Sequence, residues 1–389
     1  MNVIIGLVAF FMVATSVAAE LRLWHQKEEG REWLPKLAEQ YEAATGVKVH
    51  VSFRPTGELR ASLLRGVIEG NTPHVAIVPS DFIGDYHRLQ LTPLGDQWFG
   101  SRITPSAMPL VTLAGNHYGI PILGGNHLML FYNKRYVKQP ATSWQELAVQ
   151  AKELRSQGIE PIAWKYEEMY WFTAFATAFG AFPVSDNQIN LDTPEMRAGL
   201  EFYKRIADKG LVDPKCDYKC AFDDFNSGQY AYVINGDWAY GEMAEALGDN
   251  FGVSVLPSIA GNSMMPAYSG MALIFPADST NGPDADALMD FVHFIQSKQV
   301  QLGFFQELSL LPVHQQVIEQ IMATADDNQK ASLAQLKQGW AVPPTPALTA
   351  SWLGMSKGFQ LYISGHGTVE QATNMMQRFA EHELKKSNK

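Results

Sequence analysis

Two kinds of side chain could form a binding site in this sequence, namely aromatic rings and polar groups that follow apolar runs. The rings are Trp164, Tyr166, Tyr170, Trp171, Trp238, Tyr240 and Trp352. The polar groups are Glu28, Glu29, Asp81, Asn126, His127 and Glu168. Flat rings supply apolar contact area, and a few placed polar groups fix the orientation of a ligand. The two sets predict a small-molecule site, although each ring could instead pack in a core and each carboxylate could face solvent.

Catalytic motifs give little support for an enzyme. The sequence contains no GxSxG, P-loop or HExxH pattern, and His382-Glu383 lacks the second histidine of a zinc-protease motif. Two positioned carboxylates could still act as acid and base on a glycosidic bond. An enzyme that acts on sugars is therefore one alternative, but we expect a non-catalytic protein without cofactor or metal.

Alternating strand and helix patterns must position these side chains. Apolar runs predict strands at 21–24, 47–53, 74–78, 127–132, 229–234, 251–256 and 270–275. Helical spacing predicts helices at 31–44, at 59–67, after Ser143, after Thr193 and at 368–384. Such alternation favours sheets with helices on both faces, in which ligands bind beyond the carboxyl ends of strands.

The N-terminal segment is typical of a secretory signal peptide. An apolar run from Val3 to Val13 is followed by small residues at Val17 and Ala19, which predicts a signal peptide of residues 1–19 and cleavage before Glu20. A membrane anchor is the alternative, although the run is short for a span. No cysteine stands at the cleavage point, so we expect no lipid anchor. A free protein of this kind is retained only behind an outer membrane, which predicts the Gram-negative periplasm.

Length, charge and cysteine content narrow the class further. The 389 residues suffice for two domains. The net charge of −10 argues against nucleic acid as a partner. Cys216 and Cys220 are the only cysteines, and in an oxidising compartment we expect them to form a local disulfide.

Several blocks resemble the extracellular solute-binding proteins of family 1, which serve ABC importers and include maltose- and maltodextrin-binding proteins. The most specific block runs from Ala221 to Tyr240 and contains Ile234-Asn235-Gly236-Asp237-Trp238. Others are Tyr118-Gly119-Ile120-Pro121-Ile122, then Tyr132-Asn133-Lys134, then Pro140 to Leu147. The blocks keep the order of that family over nearly the whole chain after the signal peptide.

The resemblance implies an α/β fold with two Rossmann-like lobes joined by a hinge, the type II periplasmic binding protein fold. The N-lobe would comprise residues 20–123 and 273–311, and the C-lobe residues 124–272 and 312–389. No Gly/Ser linker separates them, so we expect the chain to cross between lobes through short structured segments.

The resemblance also implies a function. A monomeric protein would capture an oligosaccharide in the interlobe cleft by hinge closure and deliver it to the transmembrane permease subunits of an ABC importer. The matching positions for rings that face the sugar are Trp238, Trp352 and Tyr170, with Trp171 and Tyr240 beside them. The same fold could instead bind a polyamine, which the acidic candidates would suit, or a glycerol phosphoester or uronate oligomer, which would require Lys or Arg in the cleft.

Overall fold

The computed structural model describes residues 19–100 and 102–387. The predicted signal peptide lies outside the described residues except for Ala19. The described chain alternates between strands and helices and contains two larger sheets, one of five strands and one of four.

The described elements are as follows. The helices are α1 (Trp33–Thr45), α2 (Thr56–Glu69), α3 (Trp144–Ser156), α4 (Met169–Thr177), α5 (Pro194–Asp208), α6 (Tyr218–Asn226), α7 (Tyr240–Leu247), α8 (Ala285–Ile295), α9 (Lys298–Leu308), α10 (Gln315–Thr324), α11 (Asp327–Gln338), α12 (Pro346–Ile363) and α13 (Val369–Ser387). The strands are β1 (Glu20–His25), β2 (Lys48–Phe53), β3 (Val75–Pro79), β4 (Thr112–Leu113), β5 (Asn116–His117), β6 (Ile120–Leu123), β7 (Leu128–Asn133), β8 (Glu160–Ala163), β9 (Val184–Ser185), β10 (Gln188–Ile189), β11 (Tyr230–Gly236), β12 (Phe251–Ser254), β13 (Ala267–Tyr268), β14 (Met271–Ile274) and β15 (Trp340–Ala341).

The five-stranded sheet has the order β2-β1-β3-β14-β6. Strand β1 is parallel to β2 and β3, whereas β14 is antiparallel to β3 and β6. Successive side chains of a strand point to opposite faces, so Val75 and Ile77 pack against one set of helices and Ala76 and Val78 against another. Helices α1, α8 and α9 supply the first set, and α2 contributes to the second. This sheet with its helices is called the first lobe below.

The four-stranded sheet has the order β12-β7-β11-β8. Strand β11 is parallel to β8 and antiparallel to β7. Leu128 and Leu130 of β7 face the larger core with α4 and α5, and Met129 and Phe131 face the core with α6 and α7. This sheet with its helices is called the second lobe.

Local capping signals confirm several predicted helix ends. Gly46 follows α1 with φ 77, a conformation that glycine adopts without steric cost. The Ser143 hydroxyl accepts from the Glu146 N–H at 3.2 Å. The Glu146 carboxylate in turn accepts from the Thr142 N–H at 2.8 Å.

The described chain passes between the two lobes three times, and we call these segments crossings. Hydrogen bonds connect the crossings to one another. The Gly124 N–H donates to the Leu311 carbonyl at 2.8 Å, and the Gly270 N–H donates to the Gly125 carbonyl at 2.9 Å. Strand β14 begins in the first sheet at Met271, two residues before the predicted start of that segment at 273. The full set of predicted lobe boundaries stays a prediction.

Cys216 and Cys220 form a disulfide at the start of α6, with Cα atoms 5.3 Å apart. Within residues 19–100 and 102–387, no helix combines the length and the apolar character that a membrane span requires.

Candidate functional site

The loop after β1 carries a buried ion pair that the sequence analysis missed. Lys27 is only 7% exposed, and its Nζ lies 2.5 Å from Oε1 of Glu29. Glu28 instead points outward and bonds to Arg31 at 3.2 Å. The loop therefore places Lys27 and Glu29 inward and Glu28 at the surface. The sequence offers no local signal for this difference, because the three charged residues are adjacent.

Asp81 lies in the 3₁₀ helix Ser80–Asp85 that follows β3, and it is 8% exposed. Its carboxylate accepts from Arg60 at 2.8 Å, and the side chain of Trp352 on α12 lies near enough to affect its pKa. The Thr349 hydroxyl donates to the Asp81 carbonyl at 3.3 Å. Burial raises the pKa of Asp81, and the charge of Arg60 opposes that shift. Asp81 thus connects the end of a first-lobe strand to helix α12.

Three predicted rings gather beyond the end of β11. The centroid of Trp238 lies 6.3 Å from Tyr170 and 6.1 Å from Trp171. Trp171 is 6% exposed and donates to the Ile234 carbonyl at 2.9 Å, so it anchors the group in the core. Tyr170 and Trp238 are only partly buried. These two rings keep accessible area that a ligand can cover.

Tyr170 is positioned by backbone groups near the crossings. Its hydroxyl lies 2.9 Å from the Asn126 carbonyl and 3.0 Å from the Ala267 carbonyl. Burial raises its pKa, and the charges of Asp237 and Asp81 act in the same direction. The ring therefore stays protonated and acts as a fixed apolar surface and hydrogen-bond donor.

Tyr218 on α6 is a further residue that the sequence analysis missed. The side chains of Trp238 and Asn235 lie next to its hydroxyl, and their interaction with it opposes the rise in pKa that burial causes. Burial raises its pKa, and the carboxylate of Glu29 in the first lobe contributes to this shift. Burial also raises the pKa of Glu242 on α7, with Glu29 and Glu28 contributing. Glu29 is therefore close enough to α6 and α7 to affect the pKa values of Tyr218 and Glu242, and we use the term interlobe groove for the region of Lys27, Glu29, Tyr218, Trp238 and Glu242.

Two other predicted residues lie at the crossings and have structural partners. The Asn126 side chain donates to the Ser269 hydroxyl at 2.7 Å. His127 is 1% exposed, and its Nε2 lies 3.2 Å from the Ser332 carbonyl. Burial lowers the pKa of His127, although Asp237 partly opposes the shift. Both residues hold the crossings in register.

Three predicted residues, Tyr240, Glu168 and Trp352, remain to be placed. Tyr240 packs against Phe251 and Phe131, with centroids 5.2 and 6.3 Å away, in the core on the opposite face of the second sheet from Trp171. Glu168 precedes α4, and its carboxylate pairs with Lys165 at 3.1 Å in a half-exposed position. Trp352 lies on α12 with its ring 6.3 Å from Trp340.

The groove combines aromatic rings with charged side chains. Aromatic faces and charged hydrogen-bonding pairs meet there, which suits a ligand with apolar patches and hydroxyl groups. Throughout residues 19–100 and 102–387, no cluster of three or more His, Cys, Asp or Glu could hold a metal ion.

Comparison with known proteins gives related sequences over most of the chain. The chain is 27% identical over 350 residues to a maltotriose-binding protein of Pyrococcus abyssi (strain GE5 / Orsay), covering 86% of this chain and 75% of that protein. It is 21% identical over 335 residues to a putative binding protein of Brucella abortus (strain 2308), covering 80% of each. These relatives are named as binding proteins rather than enzymes.

A solved structure agrees with the fold. The maltose/maltodextrin-binding domain MalE from Bdellovibrio bacteriovorus, bound to maltotriose, matches with a TM-score of 0.87 and 27% identity, covering 94% of this chain and 100% of that chain. The match confirms the predicted fold class of two Rossmann-like lobes joined by a hinge. A sequence profile of the bacterial extracellular solute-binding proteins matches residues 36–334. The chain therefore belongs to the bacterial extracellular solute-binding proteins.

Proposed function

We propose that this protein is the substrate-binding component of an ABC sugar importer and captures an oligosaccharide of the maltodextrin type between its lobes. The observation that carries the proposal is the position of Trp238, which follows the end of β11 and lies beside the rings of Tyr170 and Trp171. The similarity to maltotriose-binding proteins supports the same ligand class. Open α/β sheets bind ligands at this end of their strands.

The proposed ligand contacts follow from the chemistry of a pyranose, which has a flat patch of C–H groups and a rim of hydroxyls. Trp238, Tyr170 and Trp352 cover the C–H faces, since aromatic rings provide apolar area in a fixed orientation. Lys27, Glu29 and Asp81 bind the hydroxyls, because a carboxylate accepts two hydroxyl donors at once. Glu28, Glu168 and Asn126 lie at the margin of this set, and Trp171 supports the rings from behind.

The proposed mechanism is hinge closure without a chemical step. The N-lobe of residues 20–123 and 273–311 and the C-lobe of residues 124–272 and 312–389 rotate about the crossings. A ligand that contacts both lobes stabilises the closed form by its differential affinity, and about 5.5 kcal/mol is needed to convert a nearly all-open population into a nearly all-closed one. The closed monomer then docks on the permease. Residues 1–19 direct the protein to the periplasm.

Titration with defined ligands tests the proposal. Intrinsic tryptophan fluorescence and calorimetry are recorded with maltose, maltotriose and longer maltodextrins, with spermidine and a uronate oligomer as the other arms. Saturable binding of an oligosaccharide, with a smaller radius of gyration in X-ray scattering, is the expected result. If the protein bound only spermidine or only the uronate, its solute would belong to that class and the proposed sugar would be wrong. Turnover of the sugar would indicate an enzyme.

A further inference from the structure

The first lobe contacts helix α12 directly at Gly84. This glycine is buried in the 3₁₀ helix Ser80–Asp85, which follows β3. A Cβ at this position would lie 2.2 Å from Oγ1 of Thr349 and 2.5 Å from the carbonyl oxygen of Thr345, and the three atoms nearest to it all belong to these two residues. The backbone at Gly84 therefore approaches the start of α12 more closely than any residue with a side chain would allow.

The two surfaces that meet here belong to different lobes. Helix α12 is part of the second lobe, because its Met355 and Phe359 pack in the core that contains α4 and α5. The 3₁₀ helix is part of the first lobe, because its Phe82 and Ile83 pack in the core that contains α2. The contact at Gly84 is therefore made between the lobes.

The 3₁₀ helix is held firmly within the first lobe. Arg60 donates to the carboxylate of Asp81 at 2.8 Å and to that of Asp85 at 2.5 Å. The Ser80 hydroxyl donates to the Ser269 carbonyl at 2.6 Å. These bonds fix the helix on both sides of Gly84, so the glycine cannot move away from α12 without its lobe.

The facing turn of α12 is fixed as well. Thr345 is the N-cap, and its hydroxyl accepts from the Leu348 N–H at 3.3 Å. Pro346 follows at the first helical position, where its restricted φ suits the helix. The Thr345 carbonyl accepts from the Thr349 N–H at 3.2 Å. Because backbone atoms form part of this surface, a side chain at residue 84 fits only if the lobes move apart.

The same contact brings together two residues that we propose to bind sugar. The Thr349 hydroxyl donates to the Asp81 carbonyl at 3.3 Å. Trp352 lies three residues further along α12 and hence on the same face of the helix. Its side chain is near enough to Asp81 to affect the pKa of that carboxyl group. Asp81 of one lobe and Trp352 of the other are thus adjacent where Gly84 meets α12.

We propose that Gly84, Thr345 and Thr349 form a latch, a direct contact between the lobes that stabilises the closed form. Gly84 permits the contact because it has no side chain, and it acts as a positioning residue that does not touch the sugar. The inference rests on the proposed function and adds that part of the binding affinity comes from contact between the lobes. A change that raises the free energy of the closed form alone weakens the binding of every solute that requires closure.

Calorimetric titration of the mature protein with maltotriose tests the latch in Gly84→Ala. The added methyl group collides with Thr345 and Thr349 only when the lobes are closed, so affinity is expected to be about tenfold weaker. Gly57→Ala is the matched control, because its Cβ would have no neighbour within 4 Å, and it is expected to keep wild-type affinity. Wild-type affinity in Gly84→Ala would overturn the proposal.

Urea denaturation separates the latch from a general role in folding. The open form accommodates the methyl group, so Gly84→Ala is expected to keep the free energy of unfolding of Gly57→Ala when no solute is present. A loss of stability that accompanies the loss of affinity would show a structural role for Gly84 and refute the latch.

Thr349 provides a second pair of variants with smaller changes. Thr349→Val removes the hydroxyl that contacts the Asp81 carbonyl, and maltotriose affinity is expected to be about fivefold weaker because one hydrogen bond is lost. Thr349→Ser keeps a hydroxyl and is expected to restore wild-type affinity. Wild-type affinity in Thr349→Val would show that this contact does not contribute to closure.

Amide hydrogen exchange distinguishes failure of the latch from failure of the proposed sugar function. Exchange in residues 345–352 is recorded with and without maltotriose, and it is expected to be faster in Gly84→Ala than in the wild type or Gly57→Ala, because the latch covers this segment. If the wild type bound no maltotriose but this difference appeared, the sugar would be wrong and the latch would stand. Equal exchange in all three proteins under both conditions would overturn the latch.

Discussion

The backbone N–H of Asn126 donates a 2.7 Å hydrogen bond to Oδ2 of Asp237. Asn126 belongs to the first crossing between the lobes, and Asp237 begins the 3₁₀ helix Asp237–Ala239 that carries Trp238. Gly125 also contacts this carboxylate so closely that a Cβ there would lie 1.9 Å from Oδ2. The first crossing and the segment that carries Trp238 are therefore joined through one side chain.

Replacement of Asp237 tests this connection. Asp237→Ala leaves the Asn126 N–H without its acceptor, so we expect the free energy of unfolding to fall by about 1–3 kcal/mol and sugar affinity to fall with it. Asp237→Asn keeps an acceptor oxygen and is expected to recover most of both losses. Urea denaturation and calorimetry measure the two quantities. Equal losses in the two variants would show that charge, rather than the hydrogen bond, is what matters.

Trp238→Ala tests the sugar site directly. Truncation of a buried aromatic anchor removes apolar contact area, so binding is expected to weaken by about 2 kcal/mol or more. Trp33→Ala, at a first-lobe ring that packs on Phe304 at 4.9 Å, is the control for general loss of an indole. Calorimetry with the tightest oligosaccharide gives the comparison. Unchanged affinity in Trp238→Ala would exclude this ring from the site.

Tyr218→Phe separates the hydroxyl from the ring. The change removes the partner of Trp238 and Asn235 while keeping the stacked contact with Phe222 at 6.0 Å. We expect sugar affinity to fall by about 1 kcal/mol, roughly fivefold, because a positioning hydrogen bond is lost. Tyr240→Phe makes the same change on the opposite face of the sheet and is expected to leave affinity unaltered. A larger effect in Tyr240→Phe would place the ligand elsewhere.

The disulfide brackets Tyr218, which lies midway between Cys216 and Cys220. The double variant Cys216→Ser, Cys220→Ser is expected to lose about 1–2 kcal/mol of unfolding free energy, since the closed loop is short. Affinity is also expected to fall, because the first turn of α6 positions Tyr218. Thermal denaturation and calorimetry record both effects. If only stability changes, the disulfide has no role in holding the site.

His25 makes stability depend on pH. Burial lowers the pKa of His25 from 6.5 to about 4. Below pH 6.5 the unfolded chain therefore takes up a proton that the folded chain does not accept until about pH 4. The free energy of unfolding is expected to fall by about 3 kcal/mol over this interval. Urea denaturation at pH 7 and pH 4.5 is expected to show a smaller decrease in His25→Gln, whereas the exposed control His50→Gln keeps the wild-type decrease.

The sequence predicted the bounds of the strands and helices better than it predicted which side chains contact one another. Apolar patterns located β1, β3, β7 and β11 to within about two residues, because β3, β7 and β11 are buried on both faces and must be apolar, whereas β1 alternates between buried and exposed residues. Trp238 was proposed because it belongs to a specific motif block, and Tyr170 because its position matches a ring position of the family. Their partly buried positions follow from packing that no local pattern records.

The sequence did not distinguish between adjacent polar or aromatic residues that have different surroundings in the fold. Lys27, Glu28 and Glu29 are three adjacent charged residues, each of which the sequence alone would place in solvent. The fold turns Lys27 and Glu29 inward and leaves Glu28 in solvent. Tyr170 and Trp171 are likewise neighbours, but one contacts the crossings and the other anchors the core. Tyr218 comes from a different helix and was missed, since only the tertiary fold brings α6 to the end of β11.

Gly270 lies where two of the crossings between the lobes contact each other. Its φ is 58, and a Cβ at this position would lie 2.5 Å from the Leu123 carbonyl, so the two crossings touch main chain to main chain. The contact between these crossings is therefore made by backbone atoms, separate from the side chains of the interlobe groove. Side chains in the groove can therefore be substituted one at a time to change which solute is bound, while the backbone contact between the crossings is kept.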